Sequence, residues 1–297
     1  MSDLRRFGIL NIDKPADITS RRVVDRVEKF VRPEKVGHAG TLDPLATGVL
    51  VVCVGKATRL IEAVQDQSKS YHATFLLGRQ SETDDVTGTV IDVPTAREVT
   101  RDEIERHLPA FVGRIEQVPP SFSAVHIAGR RAYERARAGQ TVELTPRTVE
   151  VSRLAITRFA YPEVELDIDC GSGTYIRSIG RDLGQALGCG AVMSALVRTR
   201  VGPYRIENAI ALDRLTRDTI DASLLDPATA VAELPRRVAT ADEIELIRAG
   251  RAIPIGDVQH AGDSESVVMS NEAGALLALA RPDRDTNSLR PFRVFID

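Results

Sequence analysis

The hydrophobic pattern changes period near residue 170, and that change is the tightest constraint this sequence places on its fold. "VELDIDC" (164–170) alternates apolar and polar residues, as a strand burying one face does. After "GSG", the segment "TYIRSIGRDLGQALG" sets Ile176, Ile179, Leu183 and Leu187 on one helical stripe. A strand thus runs through a glycine-flanked turn into an amphipathic helix. Tyr175 and Arg177 fall in the first turn of that helix, where unpaired backbone N–H groups and the positive dipole end suit an anion.

Other elements read in the same way. Thr19 or Ser20 caps a helix in "SRRVVDRVEKFV", ending before Pro33. Strand-like runs occupy 49–54, 71–77 and 88–93, and a polar helical segment runs from about Arg101 to Val112. A region of about 95–145, mixing "VPPSFSA" with "GRRAYERAR", is expected as an excursion from the core. Past Pro235 come a helix, "TADEIELIRAG", and short strands ending in "PFRVFID", so the expected division is 1–234 and 235–297.

Composition narrows the function classes. The 297 residues, 43% hydrophobic, suffice for one large domain and a small one. The longest apolar runs, 49–54 and 275–280, fall far short of the roughly 20 residues a membrane span needs. Asn11 and Asp13 interrupt the first apolar run before it can serve as a signal-peptide core. Cys53, Cys170 and Cys189 are widely separated, which fits buried thiols in a reducing compartment, and a cytoplasmic location is expected. The histidines are scattered with no metal-ligand spacing, so no metal site is expected. Net charge is -3, and any polyanion partner must be held by local charge, with the arginines of 129–137 and 198–205 as candidates. Solvated helix faces are the plain alternative for the same arginines.

"GHAGTLDPLATGVLVVCVG" (37–55) places Asp43 before Pro44 in a glycine-rich loop leading into an apolar strand. Pro44 biases Asp43 towards extended backbone, so a short rigid segment aims the carboxylate. A turn aspartate bonding its own backbone is the structural alternative. Gly37, Gly40 and Gly48 allow close approach to the loop, and His38 and Thr41 add polar atoms. Gly55-Lys56 lacks the spacing and the hydroxyl of a phosphate loop, and "GSGTYIRSIG" lacks the spacing of a dinucleotide fingerprint.

Together "NIDKPADITS", "GHAGTLDPLATGVL", "KSYHATFLLG", "GTYIRSIGRDLGQALGCGA" and "ALVRTRVG" resemble the bacterial TruB family, the synthases of pseudouridine at position 55 of tRNA. The resemblance runs from about Phe7 to Leu215, with a weaker likeness of the tail to the family's PUA-like module. It implies an α+β pseudouridine synthase fold with a mixed, mainly antiparallel central sheet and a small β-rich C-terminal module. It also implies catalytic Asp43, a Tyr71 lying against the target uracil, Arg177 paired with the aspartate, and His38, Tyr175 and Leu196 about the pocket. The reaction it implies breaks the N1–ribose bond of a uridine, turns the uracil and joins C5 instead. No redox change occurs, so no cofactor is needed. The carboxylate could act as a nucleophile at sugar or base, or as a base in an elimination. An adjacent arginine is expected to lower its pKa by roughly 1 to 3 units. The implied partner is tRNA, bound at the T loop and stem by a monomer with no membrane or obligate protein partner. The phosphates are expected to meet Arg130, Arg131, Arg198, Arg200 and Arg205, forming one basic surface beside the Asp43 loop. Two rival readings are a non-catalytic RNA chaperone using the same cleft and a carboxylate-dependent nucleoside hydrolase.

Overall fold

The computed structural model describes residues 6–94, 96–122, 126–127, 130–131, 144–259 and 265–296, the four residues of 126–127 and 130–131 by their backbone. The parts of the 95–145 excursion and of the loop after Gln259 that fall between these ranges lie outside the described residues.

In chain order the larger sheet and its helices comprise β1 (Gly8–Lys14), α1 (Ser20–Val31), β2 (Val36–His38), β3 (Thr47–Val54), α2 (Ile61–Gln65) and β4 (Lys69–Leu77). A small hairpin follows, β5 (Arg79–Gln80) with β6 (Ile91–Asp92), then α3 (Arg101–His107) and β7 (Gly113–Gln117). The excursion holds a second small hairpin, β8 (His126–Ile127) with β9 (Arg130–Arg131). The chain returns through β10 (Arg147–Ala160), β11 (Glu163–Cys170), α4 (Ile176–Ala186), β12 (Ala191–Val201), β13 (Tyr204–Arg205) and β14 (Ile210–Ala211). These strands form a ten-stranded sheet with the path β14-β1-β3-β12-β4-β11-β10-β7, β13 pairing with β12 and β2 with β3. Only β1–β14 and β3–β12 pair in parallel, so the sheet is mixed and mainly antiparallel.

The local reasons are plain. Thr19 caps α1 by accepting a hydrogen bond from the Arg22 N–H, and Val23, Val27 and Val31 pack on Leu10, Ile12, Leu50 and Val52. On β3, Val49, Val51 and Cys53 face one core while Leu50, Val52 and Val54 face another, which explains its unbroken apolar run. Helix α4 lies against β4 so closely that a Cβ at Gly180 would sit 2.2 Å from the Phe75 ring. That packing brings the start of α4 to the edge of the Asp43 loop.

A second, five-stranded sheet has the order β15 (Arg236–Val238), β17 (Val267–Ser270), β18 (Leu276–Asp283), β19 (Ser288–Val294), β16 (Ile253–Pro254). Helix α5 (Ala241–Arg248), opened by a capping box of Thr240 and Glu243, covers it. Its Val268, Leu276, Leu279 and Phe295 share a core with Ile9, Val49 and Val51 of the larger sheet, and Phe295 stacks on Phe7 at 5.8 Å between ring centroids. Lys56 donates to the Phe295 carbonyl at 3.0 Å and Arg59 to that of Val294 at 2.6 Å, tying the two sheets together. Among the described residues no helix is long and apolar enough to cross a membrane.

Candidate active site

The loop between β2 and β3 carries Asp43, and the start of α4 carries Arg177, 134 residues later. The two meet through both carboxylate oxygens: Arg177 Nε lies 3.0 Å from Oδ2, and a terminal nitrogen donates to Oδ1 at 3.2 Å. The guanidinium is buried and also donates to the carbonyls of Thr83 (2.9 Å) and Phe122 (3.1 Å). A second carboxylate, Asp85, sits 3.7 Å from Arg177 Nε. Its Oδ1 accepts from the Thr83 hydroxyl (2.7 Å) and from the Thr87 N–H (2.9 Å) and hydroxyl (2.5 Å). One guanidinium is therefore shared between two carboxylates and two main-chain carbonyls.

This sharing corrects the expected pKa. Burial pushes the Asp43 carboxyl above its ordinary value; Arg177 pulls it down, and the Asp85 charge pushes it up again. Burial outweighs the pull of Arg177 and the weaker pull of Lys14.

Tyr71 is buried on the inward face of β4, and Leu196 is buried on β12 opposite Ala73. Both pack in one cluster with Leu42 and Ala46 of the Asp43 loop and Ile176 of α4. The Tyr71 hydroxyl is raised in pKa by burial, opposed by the charge and hydrogen bond of Arg198, with Asp43 close enough to push it up. The structure therefore brings together Asp43, Arg177, Tyr71 and Leu196. His38 lies half-buried at the end of β2, paired with Val52, two residues before the loop glycine Gly40. Tyr175 precedes α4 half-buried, with the Arg147 guanidinium 4.5 Å from its ring centre.

The helix start is less open to an anion than its sequence implies. Gln117 accepts from the Tyr175 N–H at 2.7 Å and donates to the Tyr175 carbonyl at 3.0 Å, so a side chain from β7 takes one of the exposed donors, that of the cap residue. The same helix grips the root of the excursion: Ser178 and Arg181 both donate to the Val118 carbonyl, at 2.9 and 2.8 Å, and Arg181 pairs with Asp84 at 3.0 Å.

The expected basic surface needs a larger correction. Arg198 is 1% exposed, its Nε bonding the Val49 carbonyl at 2.7 Å and a terminal nitrogen the Gly40 carbonyl at 3.0 Å. A bulge separates it from Arg200, which aligns with Ser70, while Arg198 aligns with Tyr71. Successive residues of β4 face opposite ways, so Arg200 lies on the sheet face away from Tyr71. There it donates to Ser70 and Ser68 and approaches Asp169. Arg205, exposed, stands directly across from Arg200 and shares that face. No single patch beside Asp43 unites these three. The side chains of Arg130 and Arg131 lie outside those described.

Asp85 is the site residue that sequence reasoning missed. Its one sequence signal, "DDVTG", reads as a turn.

A family model described as TruB family pseudouridylate synthase (N terminal domain) matches residues 28–176, and one described as tRNA pseudouridylate synthase B C-terminal domain matches 177–240. A protein named tRNA pseudouridine synthase B from Thermobifida fusca (strain YX) is 42% identical over 97% of this chain and 98% of its own. One of the same name from Rhodococcus jostii (strain RHA1) is 44% identical over 86% of this chain and 85% of its own. Among solved structures, an H/ACA RNP bound to a substrate RNA containing 2'-deoxyuridine contains a chain with TM-score 0.76 and 26% identity, covering 98% of this chain and 86% of that one.

Proposed function

This chain belongs to the TruB family of pseudouridylate synthases, and from that premise we propose that it isomerises the uridine at position 55, in the tRNA T loop, to pseudouridine. The observation that carries the reading is the two-oxygen contact between Asp43 and Arg177, beside Tyr71 and Leu196.

The chemistry balances without a co-reactant: the bond from N1 to C1' breaks, a bond from C5 to C1' forms, and the proton of C5 leaves as N1 gains one. We assign Asp43 as the carboxylate that assists this exchange, held by a guanidinium that cannot deprotonate. Extruding a base from a folded loop costs on the order of a few kcal/mol. Stacking on Tyr71 returns about 1 to 3 kcal/mol, and Leu196 offers an apolar second wall. His38 and Tyr175 are assigned to the rim.

The partner is tRNA, engaged by a monomer. Residues 1–234 are assigned to the catalytic domain and 235–297 to a PUA-like module, a division supported by the separate five-stranded sheet. The 95–145 excursion is assigned to gripping the RNA, with Arg130 and Arg131 on its hairpin. The unpaired, buried cysteines fit a cytoplasmic enzyme.

The test is carbodiimide labelling of unmodified tRNA transcript after incubation with purified protein and no added cofactor. One new labelled position in the T loop is expected. Asp43→Asn should still bind the transcript and leave that position unlabelled; labelling by the variant at the wild-type rate would refute the assignment, and free uracil would point to hydrolysis.

A further inference from the structure

Arg198 is among the largest fully buried side chains of the molecule, and the ion-pairing distances contain no carboxylate partner for it among the described residues. Burying a guanidinium without a counter-charge is costly, so its placement calls for a reason beyond filling space. Three placements supply one. Its Nε bonds the carbonyl of Val49, just after the Asp43 loop, and its terminal nitrogen bonds the carbonyl of Gly40, near the start of that loop. The same guanidinium faces the Tyr71 hydroxyl, and Arg198 and Tyr71 are direct neighbours across β12 and β4. The loop's far end is also fixed to this residue's backbone, since Gly48 and Arg198 are register partners.

We propose that Arg198 is a positioning residue for the isomerisation: one side chain joins both ends of the Asp43 loop and the Tyr71 hydroxyl into a unit, fixing the spacing of carboxylate and ring as the base enters. Lysine carries three donors on one nitrogen, but it lacks the planar fork that spans acceptors set this far apart. Arg198 acts through the loop and the ring and does not itself touch RNA, so its loss slows the chemical step and leaves tRNA affinity alone. The proposal rests on the isomerase reading above.

The experiment compares wild type with Arg198→Lys and Arg198→Met on tRNA transcript tritiated at C5 of uridine. It measures the single-turnover rate with enzyme in excess, the tRNA Kd at two salt concentrations and the thermal midpoint. The expected result is a rate about 10-fold lower for Lys and about 100-fold lower for Met, on the scale of a roughly 1 Å misplacement of reacting groups. Kd should stay within about 3-fold of wild type with the same salt slope. The double variant Arg198→Lys with Tyr71→Phe should be no slower than the slower single variant, because residues acting as one unit are not additive.

An Arg198→Lys enzyme with the wild-type rate overturns the proposal, whatever its thermal midpoint. So does a weakened Kd with a shallower salt slope at an unchanged rate, the signature of a phosphate contact, and so do rate losses that multiply in the double variant. Should Arg198→Met fail to fold, the Lys variant and the double variant decide the matter alone. Wild-type protein that releases no tritium would instead sink the isomerase reading, a different outcome from any of these.

Discussion

Gly48 and Gly113 share a backbone φ of +95, yet their surroundings differ completely. A Cβ at Gly48 would lie 2.3 Å from the carbonyl oxygen of Arg198 and 3.0 Å from its C and N atoms, whereas at Gly113 nothing lies within 4 Å. Replacing each by alanine therefore separates two costs. Positive-φ strain, about 1 to 3 kcal/mol, is common to both. Carbon–oxygen contacts settle at about 3.3 Å or more, so Gly48→Ala additionally forces β3 and β12 apart by about 1 Å. The parallel pairing there consists of two register pairs, Thr47 with Val197 and Gly48 with Arg198, and a shift of that size weakens both. At about 0.5 to 1.5 kcal/mol per hydrogen bond, this adds about 1 to 3 kcal/mol. With roughly 2 to 4 °C per kcal/mol for a chain near this size, Gly48→Ala should melt several degrees below Gly113→Ala by circular dichroism. Because the displaced residue ends the Asp43 loop, the single-turnover rate of Gly48→Ala should also fall about 100-fold, while Gly113→Ala stays near wild type. Equal melting temperatures for the two variants, or a full rate in Gly48→Ala, would refute this reading of the β3–β12 contact.

Further outcomes follow from the charged and aromatic groups. In Asp85→Asn the like charge that pushes the Asp43 carboxyl up is gone, so Asp43 ionises at lower pH and the acid limb of the rate profile should move down; a limb that stays or moves up contradicts the shared-guanidinium geometry. Lys14 donates to the carbonyls of Pro15 (2.9 Å), Ile18 (2.8 Å) and Pro44 (3.2 Å), so Lys14→Met should lower the urea midpoint by leaving these acceptors bare. Burial also lowers the Lys14 pKa from 10.5 to about 8, so the unfolded chain holds more protons between those values and wild-type stability gains with rising pH there. The deficit of the Met variant should accordingly widen from about pH 8 to 10.5, and a constant deficit would argue against the buried charge. Phe295→Ala removes a side chain 3% exposed from the core shared by both sheets and should cost about 3 to 5 kcal/mol. Calorimetry of the wild type should show one transition, since that core is continuous; two would mean the sheets melt separately.

What could be read from the sequence divides along one physical line. Helices α1 and α4 were legible because their evidence is local: a cap at Thr19, a stripe at Ile176, Ile179 and Leu183, and a stop before Pro33. Asp43 was legible for the same reason, since Pro44 and the neighbouring glycines act on it directly. Strand β12 was not, because its inward face carries Arg198, and an arginine at a core position contradicts the alternation that identifies a strand. The acceptors that make this position tolerable, Gly40 and Val49, lie 158 and 149 residues away. Asp84 and Asp85 are adjacent in sequence, yet one pairs with Arg181 and the other approaches Arg177. The positive φ of 60 at Asp84 accompanies that divergence, and no composition rule distinguishes the two. Gln117 takes the N–H of the cap residue of α4 from 58 residues upstream. In each case the missing information is a polar partner, main-chain or side-chain, supplied by a remote segment. The net charge of -3 misleads for the same reason, since the cations that shape the site, Lys14, Arg177 and Arg198, are buried and act on loops inside the protein. Their charge is spent on fixing where Asp43 and Tyr71 stand, and the grip on RNA phosphates must therefore come from other residues.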